Sequence, residues 1–97
     1  MKRTILEEIY HRLYTEEAVF SVSEFCREWL GVERSYMAVL AAKHRTPSAK
    51  VLMTCAKRLN ELGKTLAASK YPCVSARGRR LQDLASECVG EVWAVME

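Results

Sequence analysis

The stretch GVERSYMAVLAAKHRTPS, residues Gly31 to Ser48, contains a turn, a short helical pattern and the start of another helix. Met37, Leu40 and Ala41 repeat at the i, i+3, i+4 spacing that places apolar side chains on one helical face. This spacing predicts a helix over about 34–42. Basic residues stand at both ends of the segment, so its outward face either binds an anionic partner or is simply solvated.

The helix before this stretch has a clear start. Ser21 and Glu24 have the spacing of a capping box, and Phe20 and Phe25 have that of a hydrophobic staple. Both patterns place the start of the helix near residue 22. Gly31 is suited to end it, because glycine adopts the left-handed conformation of a helix C-cap.

Three more helices complete the prediction. An amphipathic pattern covers about 3–15. Thr46 is an acceptable N-cap and Pro47 suits the first position of a fourth helix, whose apolar phase continues past Gly63. A last helix, with a wide apolar stripe, is predicted over about 76–95. No segment alternates as a strand does, so the fold class predicted is all-α, a small bundle of five helices.

Length and composition indicate one folded domain over residues 1–97. Apolar residues make up 49% of the chain and charged residues 28%. The four cysteines form no Cys-x-x-Cys pair and the two histidines lie in different segments, so we expect reduced thiols, no metal site and no cofactor. With no signal peptide and no long apolar run, the expected location is the cytoplasm, without a membrane contact.

The positive charge is concentrated in the middle of the chain. Residues 34–80 contain eleven basic residues and one acidic residue, whereas residues 81–97 contain four acidic residues and no basic ones. A solubilising surface usually mixes the two signs. The asymmetry therefore favours an anionic partner, such as nucleic acid.

Two short segments carry a resemblance to a known family. Residues 29–37 read WLGVERSYM, and residues 45–48 read RTPS, followed by VL at 51–52 and AKRL at 56–59. In this order they resemble the turn, reading helix and fourth helix of Cro- and phage-repressor-like (XRE-type) helix-turn-helix domains. The resemblance covers about residues 20–62 and leaves the C-terminal helix, over about 76–95, as an addition for packing or dimerisation.

The resemblance implies that the helix at about 34–42 enters the major groove of double-stranded DNA. It assigns base contacts to Arg34, Ser35 and Tyr36. Contacts to the DNA backbone or the groove edge then fall to residues at the end of this helix and the start of the next, which are Lys43, His44, Arg45, Thr46 and Lys50. Two positions depart from the family pattern, because Arg27 stands where alanine is usual and Lys43 where glycine commonly ends the reading helix.

The function predicted is therefore sequence-specific DNA binding by a transcriptional regulator of prokaryotic or phage type, acting as a homodimer through the C-terminal helix. The alternative is a helical protein–protein interaction module that keeps a helix-turn-helix-like core without binding DNA. An enzyme is not expected, because no nucleophile shares a motif with a histidine and a carboxylate, and no glycine-rich loop follows a strand.

Overall fold

The structure is a computed structural model that describes the backbone of residues 4–96 and the side chains of residues 4–94. It confirms the all-α class, and the described residues contain five helices and no strand. The predicted start of the first helix at residue 3 lies outside the described residues. The helices are α1 (Ile5–Thr15), α2 (22–30), α3 (Tyr36–Lys43), α4 (Ala49–Ala67) and α5 (Pro72–Met96).

The start of α2 follows the predicted capping pattern in part. The Ser21 hydroxyl accepts a hydrogen bond from the Glu24 N–H at 3.1 Å, and the Glu24 carboxylate accepts one from the Phe20 N–H at 3.3 Å. The predicted hydrophobic staple is wrong, because Phe20 is 69% exposed. Phe25 is buried and its ring packs against that of Tyr10, with centroids 5.6 Å apart. Contact with α1 therefore replaces the local staple.

The second half of α2 is a π-helix, Phe25–Leu30. The Cys26 carbonyl accepts hydrogen bonds from the N–H groups of Gly31 and Val32, and Gly31 has a φ of 68°. The wider turn buries Cys26 and leaves Arg27 exposed. Arg27 therefore occupies no close helix contact, although alanine is usual at this position in the resembling family.

The start of α4 differs from the prediction by two residues. Ser48, not Thr46, is the N-cap, and its hydroxyl accepts a hydrogen bond from the Val51 N–H at 3.3 Å. Pro47 is buried in the preceding loop. Gly63 does not end α4, which continues to Ala67 as the apolar phase predicted.

A very close contact between α4 and α5 lies at Gly63 and Gly78. A Cβ atom at Gly78 would lie 2.3 Å from the Ala67 nitrogen and 2.5 Å from the Gly63 carbonyl oxygen. Beside this contact, the Ser75 hydroxyl donates to the Ala67 carbonyl at 3.2 Å and accepts from Arg79 at 3.0 Å. Since only glycine allows backbones to approach so closely, these residues fix how the two long helices cross.

The last helix begins four residues earlier than predicted, at Pro72. Proline is favoured at the first helical position because the N–H that it lacks would have no helical partner there. The Tyr71-Pro72 sequence therefore starts α5 instead of only interrupting the chain. The start of this helix is also tied to α1, since Glu16 forms ion pairs with Arg77 at 3.0 Å and with Arg80 at 2.8 Å.

The hydrophobic core lies between α4 and α5 and is closed by α1 and α2. Three of the four cysteines are buried in it, and Cys73 is exposed. The hydrogen bond with Cys88, together with burial, raises the pKa of the Cys55 thiol above its ordinary value. The largest fully buried side chains are Phe25, Leu6, Ile9, Leu13, Leu30, Leu52, Leu59, Leu81 and Leu84.

Candidate nucleic-acid interface

The helix predicted to read DNA, α3, is attached to the edge of the bundle. It is the one helix of the described chain without a buried residue. Met37 and Leu40 are half-buried and pack against the core, as the sequence predicted. Ala41, which was predicted to face inward with them, is exposed, and Tyr36 packs against the core instead. The outward residues Ala38 and Val39 are exposed.

The N-terminal end of α3 differs from the prediction. The helix begins at Tyr36, so Arg34 and Ser35 lie in the preceding turn and not in the first helical turn. Ser35 occupies the N-cap position, but its side chain makes no capping hydrogen bond. Both side chains are exposed. Neither side chain has an ion pair or hydrogen-bond partner among the described residues, so both are available to an external partner.

Tyr36 connects α3 to α4. Its hydroxyl oxygen accepts a hydrogen bond of 3.4 Å from the backbone N–H of Ser48, the N-cap of α4. The ring is half-buried, so the side chain holds the start of α3 beside the start of α4. Its structural contact favours a positioning role over the direct base contact predicted.

The helix α3 ends at a residue whose backbone has the left-handed conformation. His44 has a φ of 50°, and its N–H bonds the Ala41 carbonyl while the Arg45 N–H bonds the Leu40 carbonyl. This is the Schellman arrangement, in which glycine is usual. The glycine position is therefore occupied by His44 and not by Lys43, which is the last helical residue.

The exposed polar groups at this end are Lys43, His44, Arg45 and Thr46. Together with the start of α1, the last three line a cleft of about 340 Å³ whose floor includes Leu6 and Met37. They lie at the opposite end of α3 from Arg34 and Ser35. An α-helix rises about 1.5 Å per residue, so the eight residues of α3 separate the two groups by about 12 Å.

Lys50 is the remaining predicted contact. It is exposed in the first turn of α4, two residues after the Ser48 amide that binds Tyr36. The structure therefore brings Lys50 and the start of α3 to one end of α4. No ion pair joins Arg34, Lys43, Arg45 or Lys50 to any acidic side chain among residues 4–94.

Other basic residues of the middle segment are bound within the fold. Arg58 donates to the Glu28 carbonyl, at the end of α2. Arg77 and Arg80 pair with Glu16, and Arg79 bonds the Ser75 hydroxyl. The number of basic residues in the middle segment therefore overstates the positive charge available to a partner, because these guanidinium groups form hydrogen bonds and ion pairs within the fold.

A second basic surface was not predicted. Lys50, Lys57 and Lys64 recur every seven residues and are all exposed, so they form one stripe along α4. Met53 and Val89 line a groove together with Lys57, and Trp93, one helical turn after Val89, is also exposed. The seven-residue spacing of the lysines was the available signal in the sequence.

Other kinds of site lack support within the described residues. No three His, Cys, Asp or Glu side chains among them are arranged to hold a metal ion. None of the described helices has the length and apolar character needed to cross a membrane.

The chain belongs to a family of unknown function (DUF6626), whose model matches residues 6–96. No curated protein and no solved structure gives a significant match. The match extends from α1 to α5, so it covers the five-helix bundle and not only the α2–α4 segment that resembles a helix-turn-helix.

Proposed function

We propose that this protein binds double-stranded DNA as a transcriptional regulator, with α3 in the major groove. The observation that carries the proposal is the position of α3 at the edge of the bundle, with its outward face uncovered and exposed cationic side chains at both ends. A regulator of this kind acts in the cytoplasm, where bacterial and phage DNA is found.

The shape of α3 suits a groove. Its outward face consists of Ala38, Val39 and Ala42, which are exposed and small. Small side chains let a helix backbone approach the base edges, and the major groove, about 12 Å wide, admits one α-helix. From Arg34 to Asn60 the sequence contains no acidic residue that would repel phosphates.

The cations are spaced to reach both the base edges and a phosphate backbone. Arg34 lies before α3, and Lys43 and Arg45 lie at its far end, about 12 Å away by helical rise. This length is close to the width of the major groove, so Lys43 and Arg45 would face a phosphate backbone while Arg34 reaches the base edges. Lys50 adds a further cation beside the start of α3.

Arg34 is the residue we assign to sequence preference. Its guanidinium is unpaired within the described chain, and arginine can donate two parallel hydrogen bonds to guanine. Tyr36 positions the helix through Ser48, since its hydroxyl already accepts the Ser48 N–H. The two residues therefore have different expected effects on substitution.

The test is fluorescence anisotropy of a labelled mixed-sequence duplex, titrated at several salt concentrations. We expect log affinity to fall with log salt, by about 0.9 for each phosphate that is neutralised. Lys43→Ala should reduce this slope by about 1, because it removes one phosphate contact. After selection of a preferred site, Arg34→Ala should reduce the preference for that site more than it weakens nonspecific binding.

Lys70→Ala is the matched control. Lys70 is an exposed cation in the turn between α4 and α5, outside α3 and its flanks. Its removal changes net charge by the same amount but should leave the slope nearly unchanged. Absence of binding at low salt, or an equal effect of Lys70→Ala and Lys43→Ala, would refute the assignment of this surface.

A further inference from the structure

A groove between α4 and α5 lies away from α3. It has a volume of about 380 Å³, and its apolar lining is formed by Met53, Ala56, Ala85 and Val89. Met53 is 47% exposed and Val89 37%. Trp93 follows one helical turn after Val89 and is 69% exposed, which extends the apolar surface toward the end of α5. A cluster of large apolar side chains exposed to solvent is typical of an interaction site.

The charge beside this groove is one-sided. Lys57 lines the groove, and Lys50 and Lys64 continue the stripe one heptad to either side on the same face of α4. None of these lysines forms an ion pair with a described acidic residue. Glu61, the acidic residue of α4, lies in a separate depression with Trp29 and Arg58.

The opposite wall of the groove, on α5, is neutral. It is formed by Gln82 and Ser86, and the groove has no acidic lining residue. Asp83, which is next in sequence to Gln82, faces the other way and lines a depression with Arg12 on α1. The groove therefore combines an apolar floor with a positive rim on one side only.

We propose that this groove binds an acidic amphipathic helix of another protein. An apolar face of that helix would contact Met53, Val89 and Trp93, and carboxylates along one edge would face Lys50, Lys57 and Lys64. The lysines span fifteen positions of α4, or about 21 Å at the helical rise, so the partner helix needs about four turns. Docking of one apolar helix face in a groove between helices is a recurring mode of recognition.

The charge pattern distinguishes this partner from the other occupants. A second copy of the chain that used the same groove would bring no carboxylate to face the lysines, since the groove has no acidic lining residue. DNA would leave Trp93, Met53 and Val89 without an apolar contact. The inference does not depend on DNA binding, since its residues other than Lys50 lie outside the α3 surface.

The experiment uses a fluorescein-labelled helical peptide of about 18 residues with leucines on one face and glutamates elsewhere, a length sufficient to fill such a groove. A matched peptide carries lysine in place of every glutamate. Anisotropy is measured for the full chain and for the double variant Lys57→Glu/Lys64→Glu. Arg27→Glu/Lys70→Glu is the control, because it makes the same charge change at exposed sites outside both the groove and the α3 surface.

We expect the glutamate peptide to bind at least about tenfold more tightly than the lysine peptide, because opposite charges select the partner. Lys57→Glu/Lys64→Glu should reverse this order, whereas the control variant should keep it. Trp93→Ala should weaken binding of the glutamate peptide by about tenfold or more, as truncation of a large aromatic contact can. Circular dichroism of each variant establishes that these exposed substitutions preserve the fold.

Three results would overturn the proposal. One is equal binding of the two peptides to the full chain. Another is a dimer in sedimentation that Trp93→Ala dissociates, which would assign the groove to a second copy. The third is a loss of duplex binding in Lys57→Glu/Lys64→Glu that clearly exceeds the loss in the charge-matched control variant, which would assign the stripe to phosphates. Failure of duplex binding alone leaves the peptide result unaffected.

Discussion

A methyl group added at Gly78 acts on the close contact between α4 and α5. In Gly78→Ala the new Cβ would lie 2.3 Å, 2.5 Å and 2.9 Å from backbone atoms of Ala67 and Gly63. No side-chain rotation relieves these contacts, because all three atoms belong to the backbone of α4. Ordinary carbon contacts begin near 3.5 Å, so α4 and α5 would have to separate by about 1 Å or more.

The expected free-energy change combines two opposing effects. Overpacking of a tight core costs about 1–3 kcal/mol, and backbone-only contacts place Gly78→Ala near the upper end. Alanine stabilises a helix interior by about 0.8–1 kcal/mol relative to glycine. The net loss of unfolding free energy is therefore about 2 kcal/mol. For a domain of this size that lowers Tm by roughly 8–16 °C.

Gly90→Ala is the matched control in the same helix. A Cβ at Gly90 would have no neighbour within 4 Å, so only the helix preference changes. We expect a gain of about 0.8 kcal/mol and a rise in Tm of roughly 3–6 °C. Thermal and urea unfolding followed by circular dichroism measure both variants. Equal shifts of the same sign at Gly78 and Gly90 would refute the close crossing of α4 and α5.

Three further outcomes follow from the structure. His44→Gly should raise the unfolding free energy by about 1 kcal/mol, because glycine adopts the left-handed conformation without the penalty of a side chain; an unchanged urea midpoint would contradict this. The hydrogen bonds from Arg80 and the charges of Arg80 and Arg77 lower the pKa of Glu16 below its ordinary value of 4.5. The ionised carboxylate therefore stabilises the fold above pH 4.5, and this stabilisation is lost as pH falls through the lowered pKa. Glu16→Gln should therefore lower Tm by a few degrees at neutral pH, no more than a loss of about 1 kcal/mol produces, and by progressively less as pH falls through the lowered pKa of Glu16; a difference in Tm that stays constant with pH would count against the ion pairs. A thiol reagent should modify Cys73 in the native protein and all four cysteines only after unfolding, and rapid reaction of a second thiol would show that the core is more open than described.

The helices of this fold were largely predictable because their signals are local. The capping box at Ser21 and Glu24 and the apolar phase through Gly63 each depend on residues within one or two turns. The predictions that failed, or could not be made, concern positions whose packing depends on residues distant in sequence. Phe20 is exposed because Phe25 packs on Tyr10 of another helix, and the close pairing of Gly63 with Gly78 joins positions far apart in sequence.

The candidate site was predicted as a set of residues but not as a geometry. Arg34, Lys43 and Arg45 are exposed, as a binding surface requires. The sequence did not indicate that Tyr36 bonds the N-cap of α4, since that contact spans a loop. It also left open which arginines serve the fold, because the partner of Arg80 is Glu16 at the end of α1.

The weak attachment of α3 affects any affinity measured on it. A segment without buried side chains opens locally at a free energy below that of global unfolding, so the amide hydrogens of α3 should exchange with solvent before those of α4 and α5. A ligand that binds α3 must also supply the free energy that holds this helix against the bundle. A substitution that stabilises α3 without contacting the ligand would then increase the affinity. The free protein would already hold α3 in place, so less binding free energy would be used to order it.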